Sequence, residues 1–162
     1  TLPADDASAE DSRQAFVVMN CAINLAHAGD VIKQNLLKRI TAKVRSGVAF
    51  NQNQDAEIEQ LAAVIAESLR LLAPALMTAD LESAAALARQ KDRFREAEDQ
   101  IIQHHLRLSN SGTNPGSNAT TSFIEMIHDL HRINSHVASS GYPVVSAAGL
   151  FKESRISGVQ PS

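Results

Sequence analysis

The sequence predicts an all-α protein, and three observations carry that prediction. Only 4% of its 162 residues are aromatic and none is tryptophan. Alanine, leucine, glutamate, glutamine and arginine, all good helix formers, recur throughout, whereas strands favour β-branched and aromatic residues. Glycine and proline number only 7 and 5, and they sit mostly between segments whose apolar residues return every three or four positions. Four such segments with three links predict an antiparallel up-down four-helix bundle, with helices over about 10–46, 54–78, 80–108 and 118–140. Residues 1–9 are expected to be a linker, 10–145 the bundle and 146–162 a flexible tail rich in Ser and Gly.

The first helix is drawn from Phe16, Met19, Ile23, Ala26, Val31, Leu36, Ile40 and Val44, whose spacing is helix-like. Gly29 in its middle costs up to about 1 kcal/mol relative to alanine, so close packing or a kink is expected there. Lys38, Arg39, Lys43 and Arg45 crowd the last turns, where cations suit the helix dipole, and Gly47 is the stop. In the second helix Asp55 is the expected cap, Ile58, Leu61, Ile65, Leu69, Leu72 and Leu76 form the apolar stripe, and Pro74 should kink or end it. Asp80 caps the third, with Leu81, Leu87, Phe94, Ala97, Ile101 and Leu108 inward. Ser109 to Asn118 is a loop. The fourth helix steps through Phe123, Met126, Leu130, Ile133 and Val137; Ser122 with Glu125 is a capping-box pair, and Gly141 and Pro143 should end the regular pattern.

Composition excludes several function classes. The net charge is −3 without a strongly basic segment, which argues against a nucleic-acid binder that must neutralise phosphates. A single cysteine rules out an internal disulfide framework. No uninterrupted run of about 18 apolar residues occurs, so no bilayer span is expected in this stretch of chain. The chain opens at Thr1 rather than Met, as expected of a piece of something longer.

Motifs for chemistry are sparse. Glu125-x-x-His128 has the spacing used by carboxylate-bridged di-iron bundles, but such a site needs a second copy and further carboxylates, and both residues flank the apolar stripe. His104 and His105 project about 100° apart on a helix and should not chelate one ion together; one is expected at the core edge and the other in water. His128 with His131 offers two ligands, a weak grip. Cys21, with no cation beside it in sequence, reads as a small core residue rather than a nucleophile. No Walker loop, dinucleotide fingerprint, nucleophile elbow or HExxH is present, and no enzymatic activity is expected. The cluster hardest to set aside is Arg132-Ile133-Asn134-Ser135-His136, where Asn and Ser, poor interior helix formers, stand beside a core isoleucine. Asn134 and Ser135 either tie this helix to a neighbour by hydrogen bonds or contact a ligand or partner.

Asp129, Leu130, Arg132, Ile133, Asn134, Ser135 and His136, followed by Tyr142-Pro143, resemble the last helix of the PhoU-like cytoplasmic domain that ends bacterial Na/Pi cotransporter family proteins. Leu25, His27, Gly29, Asp30, Ile32, Asn35 and Leu36 are similar to a first-helix stretch of the same family, and the segment 24–32 can be laid on 129–137 as a repeat. The resemblance spans about residues 13 to 145. It implies a PhoU-like bundle that serves as a soluble, non-catalytic regulatory domain of a sodium-dependent phosphate transporter. The domain would lie at the cytoplasmic face of the inner membrane and pack on the transmembrane part of its own chain, with a homodimer as a further option. A free-standing PhoU-type adaptor acting through protein contacts is the alternative. The acids that bind metal clusters in PhoU proteins fall on Ala26 and Asp30, and on His131 and Ser135; only Asp30 keeps a carboxylate, so neither metal nor cofactor is expected. A functional surface, if one exists, is expected at Arg132, Asn134 and His136 with Asp30 and His27.

Overall fold

The computed structural model describes residues 4–47, 49–78, 80–110 and 117–147, and side chains for 8–47, 49–78, 80–108 and 119–146. Among these residues all regular structure is helical: α1 (Ala4–Val31), a π-helical turn (Ile32–Leu36), α2 (Leu37–Ser46), α3 (Gln52–Thr78), α4 (Leu81–Asn110) and α5 (Ser117–Ala147). Since α1, the π turn and α2 run on without a break, the described residues form four helical rods. The expected tail beyond 147, and the loop over 111–116, lie outside the described residues.

Local chemistry sets each boundary. The first rod starts at Ala4, so residues expected as linker are already helical. It ends at Gly47, whose φ of 67° is left-handed and suits glycine. Asn51, rather than Asp55, caps α3: its Oδ1 accepts from the Gln54 N–H at 2.9 Å while Gln54 Oε1 accepts from the Asn51 N–H at 3.1 Å, a reciprocal pair that satisfies two otherwise orphaned donors. Asp80 caps α4 as expected, accepting from the Ser83 N–H at 2.9 Å and the Glu82 N–H at 3.3 Å. The hydrogen bonds from the Ser83 hydroxyl and N–H hold the Asp80 carboxyl below its ordinary value. The Ser122–Glu125 box does not form, because α5 has already begun at Ser117.

Two prolines fail to stop their helices. Pro74 lies inside α3 and Pro143 inside α5. Packing outweighs the lost backbone bond at both, because the residues around them are needed in one cluster: Leu72, Leu87, Val145 and Cys21 are buried together, with Leu76 and Val144 against them. Gly141 is buried under Leu87, whose Cδ2 would stand 2.2 Å from an added Cβ, so helix continuity and a close approach coincide there. Gly29 is different: nothing lies within 4 Å of an added Cβ, and the expected close packing is absent. The helix is instead perturbed one turn later, at the π turn, where the Leu37 N–H donates to the Ile32 carbonyl five residues back.

The helices α3, α4 and α5 pack on one another, while the first rod lies along α5 and makes its main contacts there. Arg39 meets Asp129, His27 meets His136 and Asn20 meets Ser139, so positions rise along one helix as they fall along the other. The same sense holds for α4 against α5, where His105 meets Phe123 and Glu98 meets His131.

The fourth-helix seam is as expected: Phe123, Met126, Leu130, Ile133 and Val137 are all buried, in one cluster with Leu61, Ile65, Phe94, Ala97 and Ile101. The first-helix seam is not. Cys21, Ala28 and Val31 are buried, but Phe16, Met19, Ile23, Ile40 and Val44 are exposed, Phe16 by 57% and Val44 by 75%. Ala26 is exposed as well. A rod with one main neighbour buries one narrow strip; among the described residues its flank of Phe16, Met19 and Ile23 stays open, while Ile40 and Val44 edge a cleft with Phe50, Ile58 and Met126. Leu69 and Leu81 are exposed for a similar reason, at the outer edges of their helices. By length and composition alone α1–α2 and α3 each carry a stretch apolar enough to cross a bilayer, which core helices of soluble proteins also do. In α3 the stretch feeds the core; in the first rod most of it is open.

Candidate functional site

The C-terminal half of the first rod reaches α5 through a charged cluster. Asp129 is 3% exposed, and its Oδ2 accepts from Arg39 Nε at 2.7 Å. Arg39 also pairs with Glu125 through Nη1, and Arg132 Nη1 lies 3.8 Å from Asp129 Oδ1. A carboxylate this deeply buried needs a partner and hydrogen bonds, and Arg39 supplies both from another helix. Glu125, which flanks the apolar stripe, is therefore engaged; His128 faces solvent. Just beyond, Lys43 Nζ sits 3.5 Å over the Phe50 ring and 3.6 Å from Asp55, tying the end of the rod to the start of α3.

The structure places the five expected surface residues as follows. His27 and His136 do meet across α1 and α5, ring centroids 5.3 Å apart. Asp30 is exposed on the first rod, and Arg132 is exposed and held toward Asp129. Asn134 is buried and opens onto a different groove, a cleft of 330 Å³ between α4 and α5. Lys91, Arg95 and Tyr142 also line this cleft, while Glu98 and His131 meet within it at 2.8 Å. Ser135 bonds back to the His131 carbonyl of its own helix, so it ties no neighbour. Other side chains link α5 to its neighbours: Asn20 Nδ2 donates to the Ser139 carbonyl at 3.0 Å, Arg39 bridges to Asp129 and Glu125, and His131 meets Glu98. Cys21 is a core residue, and burial pushes its thiol pKa up, away from nucleophilic use.

The histidine pair on α4 departs furthest from expectation. His105 packs on Phe123 at 4.4 Å between centroids, while His104 is more open, which fits one residue at the core edge and one toward water. Yet both rings converge on one carboxylate of α3. His104 Nδ1 is 2.8 Å from Glu57 Oε1, and His105 Nε2 is 2.8 Å from Glu57 Oε2. The 100° divergence between neighbours is overcome by using different ring nitrogens, the near one of His104 and the far one of His105. Glu57 carries no signal in the sequence; it is one acid among several in the first turns of α3.

Comparison with known proteins adds a family to this geometry. The chain is 24% identical over 144 residues to "Putative inorganic phosphate export protein YjbB" of Salmonella typhimurium, covering 89% of this chain and 26% of that protein. The proteins of the same name from Escherichia coli K12 and Shigella flexneri are each 22% identical with the same coverage. The chain thus spans about a quarter of the length of these relatives. No solved structure matches. The PhoU domain family matches residues 58–140, which are α3 from Ile58, all of α4 and α5 as far as Ser140, leaving the first rod outside. With more than half of its residues inside that match, the chain belongs to the PhoU domain family.

Proposed function

We propose that this chain is the regulatory domain of a sodium-dependent phosphate transporter, non-catalytic and held at the cytoplasmic face of the inner membrane by the transmembrane part of its own chain. One observation carries the reading: a PhoU domain that matches about a quarter of the length of relatives named for phosphate export stands beside a rod with an open apolar face. Exposed apolar side chains gathered on one flank of a helix are the kind of surface that a partner covers. In this reading the four rods form an up-down antiparallel bundle, supported by the opposed order of the residue pairs between helices. The first rod lends its inner strip to α5 and its exposed flank of Phe16, Met19 and Ile23 to the membrane part. Residues 10–145 act as the unit, and phosphate status reaches the transport path through that contact; a second copy of the domain is a further partner.

The family also supports a free-standing adaptor that regulates phosphate uptake or signalling through protein contacts. The upstream gene sequence separates the two: several hydrophobic spans in the same reading frame are expected, and a frame without them leaves the adaptor. In cells carrying the full-length protein, deleting this domain should change radiolabelled phosphate flux several-fold while the protein stays in the membrane. Flux that is insensitive to sodium would remove the symport part of the reading, and flux unaltered by the deletion would remove the regulatory part.

A further inference from the structure

We propose that Glu57, His104 and His105 bind one divalent transition-metal ion, of the zinc class, and thereby clamp the first turns of α3 to the last turns of α4. Their ligand atoms already lie within 4.8 Å of one another. A tetrahedral ion with metal–nitrogen bonds near 2.0–2.1 Å sets its ligands about 3.3 Å apart. The two 2.8 Å contacts to Glu57 would open by about 0.5 Å and the remaining separation would close from at most 4.8 Å, adjustments within the reach of side-chain rotation. Two imidazoles and one carboxylate form a borderline donor set that suits zinc and its neighbours and is too nitrogen-rich for magnesium or calcium.

Burial makes the triad more than a surface coincidence. The Glu57 and His105 side chains are only 15% and 13% exposed, and His104 is 42% exposed. Two ligands are thus sheltered while the third faces the solvent from which an ion arrives. The His105 ring is held in place by Phe123 behind it, the kind of support that fixes a ligand's orientation. Each ring already turns a nitrogen toward Glu57, at 2.8 Å. This triad is separate from Asp30 and from the His27–His136 pair, and it joins positions 47 residues apart in the chain.

The test uses the full chain purified without a histidine tag and stripped of metal with a chelator. Zinc is titrated calorimetrically, and cobalt is followed by its visible absorption, which reports tetrahedral coordination. The expected result is one ion per chain with a dissociation constant in the micromolar range or tighter, and a melting temperature that rises with zinc. His104→Ala and Glu57→Gln should each weaken binding by at least about 10-fold, as removal of supporting groups alone does at known sites. His104 is the more exposed ligand, so its variant keeps the fold, as circular dichroism would verify. His128→Ala, on the exposed face of α5, should leave binding unchanged. Absence of saturable binding at millimolar zinc, or equal affinity in wild type and His104→Ala, would overturn the assignment. Loss of binding in His128→Ala alone would also overturn it, by placing the ion elsewhere.

Discussion

Replacing Arg39 by alanine is expected to lower stability by about 2–3 kcal/mol, seen as a lower urea midpoint with an unchanged slope. The size follows from Asp129 rather than from Arg39. Asp129 is 3% exposed and its Oδ2 is held by Arg39 Nε. Without that partner a buried carboxylate keeps its desolvation cost and loses its compensation. Breaking a buried pair in this way costs about 3–5 kcal/mol; Arg39 is 30% exposed, and Arg132 remains 3.8 Å from Asp129, so the loss falls toward or below the lower end. Arg132→Ala should cost less than about 1 kcal/mol, because that side chain is mostly in water and its contact is long. The double variant Arg39→Met with Asp129→Leu should recover most of the loss, since apolar groups of similar volume replace buried pairs at little cost. A double variant as unstable as Arg39→Ala would show that the unpaired Asp129 charge is not the source of the loss.

Phe123→Ala should be the more damaging change, costing about 3–5 kcal/mol. The ring is fully buried and touches two other rings, Phe50 edge-on at 5.8 Å and His105 at 4.4 Å. It therefore joins the turn before α3, the end of α4 and the start of α5, and the hole left by its removal cannot close without moving three segments. Phe123→Leu keeps much of the volume and should cost less than half as much. Thermal or urea unfolding of both variants checks the order; a Phe123→Ala variant within about 1 kcal/mol of wild type would mean that the ring is not a joint of the core.

The helices were legible where a rod is surrounded, and illegible where it has one neighbour. Along α5 the stripe from Phe123 to Val137 states the buried face outright, because α1, α3 and α4 all press on it. Along the first rod the same kind of spacing names Phe16, Met19, Ile23, Ile40 and Val44, and these are exposed. Periodicity marks apolar faces without saying whether this chain or another covers them. Pro74 and Pro143 misled for a related reason: the local cost of a proline is readable, but the cluster of Leu72, Leu87, Val145 and Cys21 that outweighs it is assembled from four helices. The candidate sites divide the same way. Asn134 stood out because it breaks a helix-former pattern, and it does line a cleft. Glu57 could not stand out, because its meaning comes only from two histidines on another helix.

The π turn has a consequence for how this chain tolerates change in length. An ordinary helix rotates about 100° per residue, so a single deletion swings every later side chain off its partner. The turn at Ile32–Leu36 already holds one residue in surplus. Removing one residue inside it would let the helix relax to ordinary pitch while Arg39 and Lys43 stay in phase with Asp129 and Phe50. Removing one a turn earlier or later would not. The five-residue stretch is thus a slack link in an otherwise taut rod, the place where homologous chains can differ by one residue and still present the same face to α5.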